Sequence, residues 1–177
     1  MEVFDKDLQS IQQARECARK TKIAQKEFEF FSEEQVDKIL QAMVRVAEQN
    51  AEYLAKLAVE ETGFGKVVDK VSKNQLASTI LYKDIKELKT SGIVKHDVAK
   101  KVIEIAVPVG VLFGIIPSTN PTSTVIFKAI SALKAKNGII FSPHPSAQKC
   151  TNEAARLMAE AAESAGAPKN IISWVTL

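Results

Sequence analysis

The sequence predicts an α/β protein in which a helical N-terminal region precedes the first half, β-α-β-α-β, of a parallel sheet. Three observations carry that prediction. The first ninety residues place their apolar side chains at helical spacing, whereas beyond residue 100 short apolar runs alternate with helical stretches. The run at 111–116 ends in Pro117-Ser118-Thr119-Asn120, and a helix opens at Pro121. The run at 139–141 ends in Ser142-Pro143-His144-Pro145. Two buried strands that each finish in a polar turn feeding a helix are how an open α/β sheet builds a ligand crevice at its strand ends.

Each element follows from local chemistry. Residues 5–28 are charged and Gln-rich, with Leu8, Ile11, Ala14 and Ala18 predicted on one weakly apolar face. Ser32-Glu33-Glu34-Gln35 is a capping box, in which the serine accepts from free helical amides and Gln35 reaches back to the cap. The helix it opens carries Val36, Ile39, Leu40, Met43 and Ala47 on one face. Asn50 is placed to cap a further helix with Leu54, Leu57 and Ala58 inward, stopped by Gly63. Residues 66–88 read as helix, with Val67, Val71, Leu81, Ile85 and Leu88 as the apolar set. Residues 101–106 alternate as a strand that Pro108 breaks. Pro121 suits the first position of a helix running to about residue 135. Asn137-Gly138 is a turn, Ser146 is placed to cap a helix through residue 165, and Gly166 with Pro168 closes it. Residues 170–175 form the third strand, so the chain stops with one apolar sheet edge unpaired.

Composition narrows the function classes. Hydrophobic residues at 46% and charged residues at 25% are those of a globular domain, and no apolar run reaches the ~20 residues a membrane span needs. The start, Met1-Glu2-Val3-Phe4-Asp5, lacks the basic and apolar regions of a leader, which points to the cytoplasm. Residues 1–100 hold 17 basic and 17 acidic side chains, and residues 101–177 hold 7 and 4, so the whole excess of +3 lies in the α/β half. No clustered basic stripe or aromatic platform suggests nucleic acid. Cys17 and Cys150 read as free thiols, and Cys150, amid Ala154, Leu157 and Met158, as packing rather than a nucleophile. His96 and His144 have no Cys or carboxylate at ligand spacing, so no metal site is expected. Gly63-Phe64-Gly65-Lys66 follows a helix and lacks phosphate-loop spacing; it reads as a helix end with a surface lysine.

The segments Pro117-Ser118-Thr119-Asn120-Pro121-Thr122-Ser123-Thr124 and Ile139-Ile140-Phe141-Ser142-Pro143-His144-Pro145 resemble the aldehyde dehydrogenase superfamily. Within it they are most similar to the CoA-acylating branch: acetylating acetaldehyde dehydrogenases and the N-terminal half of bifunctional aldehyde-alcohol dehydrogenases. Glu61-Thr62-Gly63 and Ala165-Gly166-Ala167-Pro168 fit as well, and the resemblance covers nearly the whole chain. It implies a Rossmann-like NAD-binding sheet. Residues 1–100 would be the mainly helical part of the cofactor-binding domain, 101–109 a strand of an oligomerisation hairpin, and 110–177 the first half of the sheet. The implied reaction joins an aldehyde to coenzyme A with reduction of NAD, in a cytoplasmic homo-oligomer or inside a bacterial microcompartment.

The same resemblance implies the site residues. Asn120 would donate its amide to the thiohemiacetal oxyanion, Ile116, Pro117, Ser118 and Thr119 would lie along the nicotinamide ribose, and Ser142, Pro143 and His144 near the adenosine ribose. Hydrolytic relatives place Lys and Glu around this second segment; Ser142 and the prolines here agree with the acylating branch. The family's nucleophilic cysteine and catalytic domain would lie beyond Leu177, so the isolated chain is expected to be inactive.

Read from the residues alone, alternatives stay open. Asn120 could only cap the helix at Pro121, and His144 could be a turn residue. Ser118, Thr119, Ser123 and Thr124 would satisfy free amides where that helix starts. The N-terminal helix could dock onto a partner or target a microcompartment rather than belong to the folded body. The chain as a whole could be a non-catalytic nucleotide-binding or partner-docking module.

Overall fold

A computed structural model describes residues 5–176. Residues 1–4, which hold most of the start read above for a leader, and Leu177 lie outside the described residues. Seven helices and five strands follow in the order α1 (Lys6–Phe28), α2 (Glu33–Gln49), α3 (Ala51–Thr62), α4 (Val67–Gln75), α5 (Leu81–Ile85), β1 (Gly92–Asp97), β2 (Val102–Ala106), β3 (Val111–Ile115), α6 (Pro121–Lys134), β4 (Gly138–Ser142), α7 (Gln148–Ser164) and β5 (Ile172–Trp174). A π-helical turn, Leu76–Ile80, joins α4 to α5.

β3, β4 and β5 form a parallel sheet in that order, with Ile115 opposite Ser142 and Phe141 opposite Trp174. The expected β-α-β-α-β unit is therefore present. α1 lies across one face, where Thr21 touches Gly138 and its hydroxyl bonds Ser173 Oγ at 2.9 Å. On the other face Ile139, Phe141 and Ile172 join one buried core with Ile126, Ile130 and Leu133 of α6 and Met158 of α7. α2 packs behind these two helices through Val36, Ile39, Leu40, Met43 and Ala47, all buried as predicted. Its capping box is formed, with Ser32 and Gln35 bonding reciprocally.

Several expectations are corrected. Leu8, Ile11, Ala14 and Ala18 are exposed, and α1 instead buries Thr21, Ala24, Gln25 and Phe28. The reason is that its C-terminal half crosses the sheet, while its N-terminal half reaches the edge strand, where Gln13 pairs with Thr176 at 2.7 and 3.0 Å. Asn50 stands at the start of α3 but turns its amide back onto the Val46 carbonyl. Ser146 does not cap α7: residues 145–147 form a 3-10 turn capped by the His144 ring. The stretch 92–97, assigned to the helical part, is a strand; β1 and β2 form an exposed antiparallel hairpin. β3 is not a buried strand, since Phe113 is 57% and Ile115 73% exposed. Both lie on the α1 side of the sheet by strand alternation, and α1 crosses mainly over β4. Gly63, at φ +69, ends α3 in the left-handed conformation that glycine adopts without strain, which confirms the helix-end reading of this segment.

Candidate active site at the β3 strand end

The carboxyl ends of β3 and β4 lie side by side. Ile116 N–H donates to the Ser142 carbonyl at 2.9 Å, so the turns after the two strands flank one crevice. Ile116 is buried, Ser118 half-buried, and Pro117 and Thr119 exposed. Ser142 and Pro143 are half-buried and His144 is exposed, its Nδ1 2.8 Å from Ser146 Oγ and 3.2 Å from Ser146 N. The two predicted clusters thus come together at one end of the sheet.

Asn120 precedes Pro121 at the start of α6, but its side chain makes no capping hydrogen bond. Two nearby hydroxyls bond other groups than the free amides of α6. Thr124 Oγ1 donates to the Asn120 carbonyl at 2.6 Å, and Thr122 Oγ1 to Asn74 Oδ1 at 2.9 Å. The carboxamide of Asn120 instead faces α4: Lys73 Nζ donates to its Oδ1 at 3.0 Å, and its Nδ2 donates to Thr119 Oγ1 at 3.4 Å. Lysine carries only donors, so the carboxamide atom bonded to Nζ must be the oxygen, and the NH₂ is left as the outward donor.

α4 buries a polar stripe here rather than the predicted valines. Lys70 is 5% exposed, with Nζ 2.9 Å from the Thr119 carbonyl and no carboxylate within 4 Å among the described residues. Burial pulls its pKa below the ordinary lysine value, and the neighbouring Lys73 charge adds to that. Asn74, fully buried, donates to the Ala51 carbonyl and accepts from Thr122, and Ser78 donates to the Asn74 carbonyl. Sequence reasoning missed these residues because it sought the apolar stripe. The signal was present: Lys70, Asn74 and Ser78 recur at i, i+4 and i+8.

Next to Asn120 a cleft of about 450 Å³ opens between the π-helical turn and α6, lined by Leu76, Ile80, Leu81 and Phe127 with Lys73 and Asn120 at its edge. π-helical turns inside helices recur at functional sites because they offset the side chains that follow. A second cleft of about 370 Å³ lies between α1, α7 and β5, beside Cys17 and Arg156, and none of the strand-end residues borders it.

The N-terminus of α7 also opens at this end of the sheet, but it is already occupied. Glu61 Oε1 accepts from Lys149 N at 2.8 Å and Oε2 from Cys150 N at 2.7 Å. Burial works to raise the Glu61 pKa, yet the two amides outweigh it and hold the carboxyl below its ordinary range. Cys150 is fully buried beside that carboxylate, and burial pushes its thiol up to about 12. Its Sγ donates to the Ala147 carbonyl at 3.5 Å, within a small buried cluster with Ala58 and Ala147. Cys17, half-buried on α1, has its Sγ 3.7 Å from the Trp174 carbonyl, and burial raises its pKa as well.

Residues 2–177 match the Aldehyde dehydrogenase family. The chain belongs to the aldehyde dehydrogenase family. An acetylating aldehyde dehydrogenase from Geobacillus thermoglucosidasius superposes with a TM-score of 0.95 and is 56% identical, covering 98% of this chain and 38% of that one. The bifunctional aldehyde-alcohol dehydrogenase of Escherichia coli K12 is 49% identical over 156 residues, 88% of this chain and 18% of its own length. The acetylating succinate-semialdehyde dehydrogenase of Clostridium kluyveri is 42% identical over 161 residues, 91% of this chain and 36% of its own. The chain therefore spans 18% to 38% of the length of these three proteins. Membership explains the Glu61-Thr62-Gly63 resemblance in physical terms: one residue caps α7, the next bonds back to the Ala58 carbonyl at 2.6 Å, and the glycine turns the chain.

Proposed function

We propose that this chain is the N-terminal part of an NAD-dependent, CoA-acylating aldehyde dehydrogenase, which converts an aldehyde, CoA and NAD to an acyl-CoA and NADH. The observation that carries the reading is the carboxamide of Asn120 at the β3 strand end, which makes no helix cap and lies at the edge of an apolar cleft. In this reading a thiolate from elsewhere in the complete enzyme attacks the aldehyde carbon, and the carbonyl π electrons move to oxygen. Asn120 Nδ2 donates to that developing oxyanion, while Leu76, Ile80 and Phe127 hold the aldehyde's carbon chain. A bound NAD would supply the hydride acceptor that lets the oxyanion collapse to a thioester. The CoA thiol then takes the acyl group and frees the enzyme thiol.

The strand-end residues fit such a cofactor. Pro117, Ser118 and Thr119 would lie along a nicotinamide ribose with Ile116 buried beneath them, and Ser142, Pro143 and His144 near the adenosine ribose. Two amides at the start of α7, those of Lys149 and Cys150, are taken by Glu61 and are not open to the pyrophosphate. Neither thiol of the chain is suited to attack, so the chain alone supplies the cofactor side and the oxyanion donor. Residues 5–91 make the helical part of the cofactor domain and 110–176 the first half of its sheet. The hairpin that includes 101–109 serves as an interface between copies in a homo-oligomer. The setting is the cytoplasm, or a microcompartment within it.

The test is Asn120→Ala in the complete enzyme. An oxyanion donor acts only after attack, so kcat falls by about 10²-fold or more, while the Kd for NAD is unchanged. A variant with wild-type kcat overturns the assignment, whatever its melting temperature.

A further inference from the structure

We propose that Lys73 is a positioning residue for Asn120, setting which end of its carboxamide is presented to the reacting carbonyl; this rests on the oxyanion reading above. A terminal amide can rotate by half a turn at little cost, and the two orientations place opposite charges at the same point. With NH₂ presented, a developing oxyanion is stabilised; with the carbonyl oxygen presented, it is repelled. Helix capping would hold one orientation, but Asn120 makes no capping bond although it stands at the capping position of α6.

Lys73 holds the orientation instead. Its Nζ lies 3.0 Å from Oδ1, and an ammonium cannot accept, so the flipped amide would set NH₂ against NH₃⁺. The same bond withdraws electron density from the carboxamide and makes its N–H a stronger donor, as hydrogen bonds in series polarise one another. The turn beneath is held separately, by Lys70 on the Thr119 carbonyl at 2.9 Å and by Thr122 on Asn74 at 2.9 Å. Lys73 is exposed while Lys70 and Asn74 are buried, so its one bond into the site has no evident part in packing. Its place one turn after Lys70 on α4 brings both ammonium groups to neighbouring atoms of one peptide segment.

The experiment uses the complete enzyme and four variants: Lys73→Met, Lys73→Arg, Asn120→Ala and the Lys73→Met/Asn120→Ala double variant. Lys73→Met keeps the length and apolar stem of the side chain and removes its donor. Its kcat is expected to fall about tenfold, with KM for NAD and CoA and the melting temperature unchanged, and Lys73→Arg is expected to recover most of the loss. In the Asn120→Ala background, Lys73→Met should cost nothing further, because its effect passes through the amide. Wild-type kcat in Lys73→Met, or a full tenfold loss again in the double variant, overturns the positioning role. Should Asn120→Ala itself retain full activity, the oxyanion reading fails first, and that outcome is read from the single variant alone.

Discussion

At the scale of single residues, the chain spends charge where helices begin. The Glu61 carboxylate accepts two amides of α7 from outside that helix, performing the role that a local serine usually fills. Such bonds favour the ionised form, and the sign of the pH dependence follows. With the folded pKa depressed below its ordinary value near 4.5, the stabilisation is complete above that value. It is lost as pH falls through the lower folded value. Glu61→Ala is therefore expected to cost about 1 kcal/mol at pH 7, and the gap to the parent should close as the medium is acidified past the folded pKa. Urea denaturation of both proteins at pH 7 and at pH 3 measures it. A gap of the same size at both values would show that the carboxylate charge is irrelevant.

At the scale of elements, α1 lies so close on β4 at Gly138 that only a residue without a Cβ fits there. A Cβ on Gly138 would lie 2.6 Å from Thr21 Cγ2 and 3.3 Å from the Thr21 carbonyl oxygen. Thr21 is fully buried and tied through its hydroxyl to Ser173, so it has little room to move. Gly138→Ala is expected to cost about 1–3 kcal/mol by overpacking. Adding Thr21→Ser removes the offending methyl and keeps the hydroxyl, and should recover most of the loss. Thermal denaturation of the single and double variants checks both statements; no recovery in the double variant would place the strain in the backbone instead. The capping box, the left-handed Gly63 and Pro121 at the head of α6 were legible in the sequence because each depends on neighbours within four residues. The π-helical turn at Leu76–Ile80 was not, since packing against α6 accompanies it and no local residue marks it.

At the scale of the molecule, the β1–β2 hairpin stands apart from the sheet and exposes Ile93, Val94, Val102, Ile103 and Ile105. An apolar hairpin left this exposed among the described residues is unusual in a protein that stays single. Its proposed service as an interface between copies predicts that Ile103→Glu with Ile105→Glu lowers the oligomeric state of the complete enzyme. Sedimentation velocity reads this out, with circular dichroism to confirm an unchanged fold. In a monomeric protein the same exposed substitutions would leave sedimentation unaltered and shift stability by less than about 0.5 kcal/mol each.

By itself the sequence determined the α/β class, the three parallel strands, the helix ends marked by Ser32, Gly63 and Pro121, and the two turns that meet at the strand ends. Those features follow from backbone geometry and from hydrophobic period, which are properties of short stretches. The tertiary structure alone decided which side chains those turns would face. Lys70, Lys73 and Asn74 are some fifty residues from Thr119, Asn120 and Thr122 in the chain and meet them only because α4 docks beside α6. Likewise, Glu61 becomes a cap only when α3 lies against α7, and Phe113 is exposed because α1 crosses mainly over β4. Contacts of that kind depend on how layers pack, and no periodicity within a segment encodes the partner that arrives from outside it.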